Sequence, residues 1–163
     1  MTQPLLIATQ NSHKLEEFRQ LWPGCPLADL SMYPSFVMPP ETGDTFLANS
    51  AIKSKAVHEF TGSITLADDS GLVVDALDGA PGIRSARYVP GSDRDRYLAL
   101  LTAMENKPER TARFVACLSI IGLPKDIELP AKVFREKDVV YTFGEVLGSI
   151  TYEPRGENGF GYD

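Results

Sequence analysis

At 163 residues, 43% of them hydrophobic and 23% charged, the chain has the composition of a globular protein and the length for one domain or two closely packed lobes. Its formal charge of −6 argues against a nucleic-acid binder, which needs a basic stripe to neutralise phosphates. No apolar run approaches the roughly 18–20 residues needed to span a bilayer, and MTQPLLIATQNSHK lacks the basic start and cleavage site of a secretory signal, so the expectation is a cytoplasmic protein with no membrane partner.

Residues 4–8 (PLLIA) form an apolar run of strand length. Thr9-Gln10-Asn11-Ser12 is polar and turn-like, and from His13 the pattern turns helical, with Leu15, Phe18 and Leu21/Trp22 on one face before Pro23-Gly24 ends it. Residues 26–43 hold four prolines and read as irregular, with a short strand near 27–30. A second amphipathic helix is predicted over 44–60, its buried side formed by Phe46, Leu47, Ile52, Ala56, Val57 and Phe60. Residues 64–66 and 72–74 are strand-like on either side of an acidic turn, and 79–83 (GAPGI) is a loop. Ser92 opens a third helix over 93–105 in a capping-box-like SDRD. Residues 111–121 and 139–150 are long and rich in β-formers, with 127–134 between them, so hairpin-connected strands are expected. Helices among early strands and a β-rich second half predict a mixed sheet with helices packed on it. Cys25 and Cys117 have no metal-ligand spacing and read as reduced, partly buried thiols.

Three stretches carry residues suited to chemistry. Thr9 through Lys14 runs from a strand end into a helix N-terminus, where unpaired N–H groups and the helix dipole attract anions. The plain alternative, favoured on these residues alone, is an ordinary cap by Asn11 or Ser12 with Lys14 in solvent. Around Glu41-Thr42-Gly43-Asp44, either Thr42 or Asp44 caps the next helix and Lys53 lies on a solvated face, or Glu41 ligates a metal and Lys53 a phosphate. In ADDSGLVVD (67–75), Asp68 and Asp69 are adjacent like charges, which raise one pKa unless a cation lies between them. A divalent ion with substrate phosphates would resolve that conflict; a turn capped by Asp68, with Asp69 exposed, would avoid it. Asp75 and Asp78 read as surface and turn residues. Asp69-Ser70-Gly71 also matches the D-[ST]-G of aspartic proteases, but no second copy exists for the required carboxylate pair. His13 and His58 form no catalytic constellation.

In order along the chain, IATQNSHKLEEF (7–18), ETGDTFLANSAIKSKA (41–56), LADDSGLVVDALDGAPGIRSARY (66–88) and GENGFGYD (156–163) resemble the inosine triphosphate pyrophosphatases, the dITP/XTP pyrophosphatases of nucleotide-pool sanitation. That resemblance implies a homodimeric α/β protein with an elongated mixed β-sheet flanked by helices, its two lobes enclosing a central substrate cleft. It implies hydrolysis of ITP, dITP and XTP to the monophosphate and pyrophosphate with Mg²⁺. Carried over by position, Thr9, Gln10, Asn11, Ser12, His13, Lys14 and Lys53 would bind the triphosphate. Glu41 and Asp69 would hold the metal, and Asp69 would take the proton of the attacking water with Asp68 in support. Ser70 would contact substrate, and Phe160, Gly161, Tyr162 and Asp163 would line the nucleoside pocket. Members of that family continue past this motif with a lysine and a Ser-His-Arg motif. The expectation is therefore one pyrophosphatase domain missing its C-terminal segment, with metal and triphosphate sites kept but poor base discrimination. The alternatives are a related house-cleaning phosphatase acting on other modified nucleotides, or a nucleotide-binding module with impaired catalysis.

Overall fold

The computed structural model describes residues 3–156 and 159–163; Glu157 and Asn158, inside the GENGFGYD stretch, lie outside the described residues. Strands β1 (Leu5–Ile7), β2 (Leu27–Asp29), β3 (Thr65–Val74), β4 (Thr111–Ile121), β5 (Val133–Glu136) and β6 (Val139–Ser149) form one sheet in the order β2-β1-β3-β4-β6-β5. β1 pairs parallel with β2 and β3, and β5 pairs antiparallel with β6, so the sheet is mixed. The helices are α1 (Ser12–Leu21), α2 (Phe46–Thr61) and α3 (Asp93–Ala103). Among the described residues no helix is long and apolar enough to cross a membrane.

The chain divides into two compact units, 1–69 with 117–143 and 70–116 with 144–163. In the first, alternation along the strands sends successive side chains to opposite faces. Ile7, Leu66, Leu118 and Ile120 meet Leu15 and Phe18 of α1 on one face. Leu6, Ala8 and Ala67 meet Val57 of α2 on the other, where Cys117, Ile121, Val139 and Tyr141 also pack against Ala51, Phe46 and Leu47. Covering both faces buries the parallel strands, which explains the apolar reading of β1. In the second unit, Leu72 and Val74 of β3, Ala112 of β4, Leu100 of α3 and Met104, which caps the end of that helix, build a separate core.

The expected acidic turn is replaced by strand. Asp68, Asp69, Ser70 and Gly71 all lie within β3, which runs unbroken between its neighbours β1 and β4. Asp, Ser and Gly are poor strand formers, but the flanking strands hold this backbone and lysines meet the charges. In place of the strand expected over 127–134, a shorter one lies at Val133–Glu136 and turns directly into β6. Two-residue connections of this kind are the commonest hairpins. Thr45, not Thr42 or Asp44, caps α2 by accepting from the Ala48 N–H, and Gly62 closes it in the left-handed conformation. The expected box opens α3: Ser92 accepts from the Asp95 N–H while the Asp95 carboxylate accepts from the Ser92 N–H. Cys117 is buried as expected, but Cys25 is exposed.

Candidate active site

Adjacent strand residues project to opposite faces, so Asp68 and Asp69 each meet a different lysine. Asp68 follows Leu66 on the α1 face, where Lys14 Nζ lies 3.5 Å from its Oδ2. Asp69 follows Ala67 on the α2 face, where Lys53 Nζ lies 3.5 Å from its Oδ1. A separate lysine, carried by a different helix, faces each of them.

Lys53 also donates to Glu41 Oε1 at 2.7 Å, bridging the loop before α2 to the strand. Its side chain is only 14% exposed, which removes the solvated-face reading. Burial alone would lower the lysine's pKa, but the hydrogen bond to Glu41 and the Asp69, Glu41 and Asp68 charges outweigh it and hold the ammonium charged. Asp69 is 6% exposed. Burial pushes its carboxyl up to about 6, and Glu41 adds to the rise, against opposing help from Lys53 and Asn49. Asp69 Oδ2 is buried without a hydrogen-bond partner.

The first turn of α1 engages several of its own donors. Asn11 Oδ1 accepts from the His13 N–H at 2.9 Å and the Lys14 N–H at 3.4 Å, and Thr9 Oγ1 accepts from the Asn11 N–H. These N–H groups are thus engaged within the turn, as the plain-cap reading expects. Gln10, Asn11, Ser12 and His13 are exposed, while Thr9 and Lys14 are half-buried. Lys14 reaches Glu17 as well as Asp68, so it too is not simply solvated. Ser70 is half-buried in β3, immediately after Asp69.

In the second unit Phe160, Gly161, Tyr162 and Asp163 form a turn, with the Phe160 N–H on Asp163 Oδ2 and the Asp163 N–H on the Phe160 carbonyl. The Gly161 N–H donates to Asp93 Oδ2 at 2.8 Å, and the Tyr162 hydroxyl donates to the Ser85 carbonyl at 3.0 Å. Burial pushes the Tyr162 phenol up to about 12, so it stays a neutral donor. The turn lines a cavity of about 520 Å³ together with Leu72, Leu100, Ala112 and Phe114.

Sequence reading gave no role to Asn49, Ser50 and Ser54, polar residues fully buried on α2. The signal was present: Asn49 and Lys53 are four apart and share a helix face, as do Ser50 and Ser54. Ser119 Oγ donates to Ser54 Oγ at 2.8 Å, and Ser50 Oγ lies 3.5 Å from Cys117 Sγ, so α2 sits on β4 through small polar groups.

Among the described residues, no group of three or more His, Cys, Asp and Glu side chains is placed to cage a metal. Mg²⁺ does not require one, because it binds through one or two carboxylates and completes its shell with water and substrate oxygens. A buried carboxylate with an unpartnered oxygen, close to a second carboxylate, fits that mode. The pairing of Asp69 with a lysine does not fit the proton-sharing carboxylate pair of an aspartic protease.

Fold and site together define a mixed α/β protein with a buried carboxylate–lysine cluster at its parallel strands. The chain belongs to the Ham1 family, whose model matches residues 5–163. It is 45% identical over 161 residues to the dITP/XTP pyrophosphatase of Symbiobacterium thermophilum, covering 98% of this chain and 76% of that protein. A HAM1 protein from Coxiella burnetii superposes with a TM-score of 0.82 at 33% identity, covering 99% of this chain and 80% of that one. The nucleoside-triphosphatase, or dITP/XTP pyrophosphatase, of Mycobacterium abscessus superposes with a TM-score of 0.74 at 35% identity, over 98% and 81% of the two chains.

Proposed function

We propose that this chain is a hydrolase that cleaves deaminated purine nucleoside triphosphates (dITP, ITP and XTP) to the monophosphate and pyrophosphate. It works with Mg²⁺, as a cytoplasmic homodimer and a single pyrophosphatase domain. The names of its relatives support the substrate class. The observation that carries the chemistry is Asp69: a buried carboxylate with one oxygen unpartnered and the other facing Lys53, with Glu41 on the same lysine.

Asp69 takes the proton of the attacking water. Its carboxyl, at about 6, is mostly ionised at neutral pH yet close enough to it to accept a proton efficiently. The water oxygen bonds to the α-phosphorus, the bond from that phosphorus to the bridging oxygen breaks, and pyrophosphate leaves with the electron pair. Glu41 and Asp69 would hold Mg²⁺, which when bound neutralises triphosphate charge and eases departure of pyrophosphate. Lys53 and Lys14 bind phosphate oxygens, their ammonium groups held in place by the acids they already face. Thr9, Gln10, Asn11, Ser12 and His13 add polar contacts to the phosphates, and Ser70 adds one to substrate. Phe160 and Tyr162 offer faces for the base, in a turn anchored through Gly161 to Asp93.

The test is a panel of ITP, dITP, XTP, ATP and GTP with Mg²⁺, read separately for pyrophosphate and orthophosphate. Pyrophosphate from the first three, with little from ATP or GTP, is the expected result. Orthophosphate as product, or a preference for ATP, overturns the reading; no turnover at all would favour a binding module.

A further inference from the structure

Burying a polar side chain is unfavourable unless its atoms are paired. Asn49, in the first turn of α2, is 0% exposed, and only half of its amide is paired. Its Oδ1 accepts from the Gly43 N–H at 2.8 Å, while its Nδ2 is buried without a partner. Among the described residues, Asp69 Oδ2 is the other buried side-chain polar atom without one. The Asn49 side chain lies near enough to Asp69 to act on its carboxylate, at a separation longer than a formed hydrogen bond. Lys53, one turn along the same helix face, grips the Glu41 side chain. Asn49 grips the backbone of the same loop two residues further on.

We propose that Asn49 is a positioning residue for the acid cluster: its Oδ1 fixes the Glu41 loop and its Nδ2 is held as a donor for Asp69, so that one amide sets both carboxylates. The role rests on the metal-dependent reading above. Side chains that orient metal ligands in this way tune metal affinity without touching the ion. A residue present only for packing gains nothing from an unpaired buried amide, since an apolar side chain would fill the space without that penalty.

Gly43 supplies an independent handle on the same contact. It does not adopt a left-handed φ, so an alanine meets no backbone strain there. A Cβ at Gly43, however, would lie 2.8 Å from Asn49 Oδ1 and 2.7 Å from Ala48 Cβ, displacing the loop from the helix. Gly43→Ala therefore breaks the clamp while keeping the Asn49 amide in the chain.

The experiment titrates purified parent, Asn49→Ala and Gly43→Ala with Mn²⁺, read by the paramagnetic resonance of free ion, alongside metal-free melting and kcat and KM for dITP. Both variants are expected to bind Mn²⁺ about 10- to 100-fold more weakly. Their kcat should fall at limiting Mn²⁺ and recover in part at saturation, with the KM for dITP little changed. Gly43→Ala tests the contact even where Asn49→Ala fails to fold. Folded Gly43→Ala protein with Mn²⁺ affinity within twofold of the parent overturns the clamp, as does a variant that loses only melting temperature. A parent that neither binds Mn²⁺ nor hydrolyses dITP overturns instead the functional reading on which the clamp rests, and the clamp falls with it.

Discussion

Asp69 shows how the burial of one carboxylate can oppose stability. Its carboxyl titrates near 6 in the folded chain against an ordinary 3.8, chiefly because burial disfavours its charge. Between those values the folded state holds a proton that the unfolded state has released. The group thus favours folding below about 3.8, and that contribution is lost as pH rises through 6. Asp69→Asn, neutral at every pH, should match the metal-free parent in melting temperature near pH 4 and exceed it by a few degrees at pH 8. The same substitution should lower turnover by about 10²–10⁴-fold. Melting differences that do not change with pH would contradict the burial argument; near-parental turnover would remove Asp69 from catalysis. Lys53→Ala removes the charge that holds the Asp69 carboxyl down, so the acid limb of the pH–rate profile should move to higher pH as turnover falls roughly 10–10³-fold. An unmoved limb would mean that Lys53 does not act on Asp69.

At the scale of elements, the seat of α2 on β4 decides where Asn49 and Lys53 project. Ser54 and Ser119 are both fully buried, and the Ser119 hydroxyl donates to Ser54. Ser54→Ala leaves a buried hydroxyl without its acceptor and should cost about 1–3 kcal/mol. The Ser54→Ala/Ser119→Ala double variant should cost clearly less than the two single changes summed, because it removes the unpaired group as well as the bond. Additive losses in urea melts would show that the pair is not coupled. This seat also marks where the sequence was hard to read. α1, α3 and its capping box, β4 and β6 were legible because periodicity and caps are local signals. The DDSG of β3 was not, since its turn-forming residues are held extended by strands from elsewhere in the chain, a tertiary override of local propensity. On α2 the apolar stripe predicted Phe60 as buried; it is 52% exposed, while Val57 is buried as predicted and Asn49, Ser50 and Ser54 are buried beside it. Glu41, Lys53 and Asp69 were singled out as candidate site residues through resemblance. Their mutual contacts were not legible, because residues 41, 53 and 69 meet only once helix and strand have packed.

For the whole molecule the decisive quantity is charge. A net −6 repels a polyanion, and the lysines of the cluster already face carboxylates, so they cannot neutralise a triphosphate unaided. A divalent cation changes the balance by adding positive charge where Glu41 and Asp69 converge on Lys53. Inorganic tripolyphosphate is the cleanest probe, since it carries the phosphates without a base. Any ligand that binds only the folded state stabilises it, by about 2.7 kcal/mol at a hundred times its dissociation constant. For a chain of this length that corresponds to a rise of roughly 5–10 °C in melting temperature. Tripolyphosphate with Mg²⁺ should produce such a rise in the parent and little in Asp69→Asn. Tripolyphosphate with a chelator should produce almost none. Chelator alone should leave the melting temperature unchanged, because the cores on both units are built from apolar side chains and not around an ion. Equal protection with and without Mg²⁺ would show that the lysines suffice to hold the phosphates, and would remove the metal from the binding step.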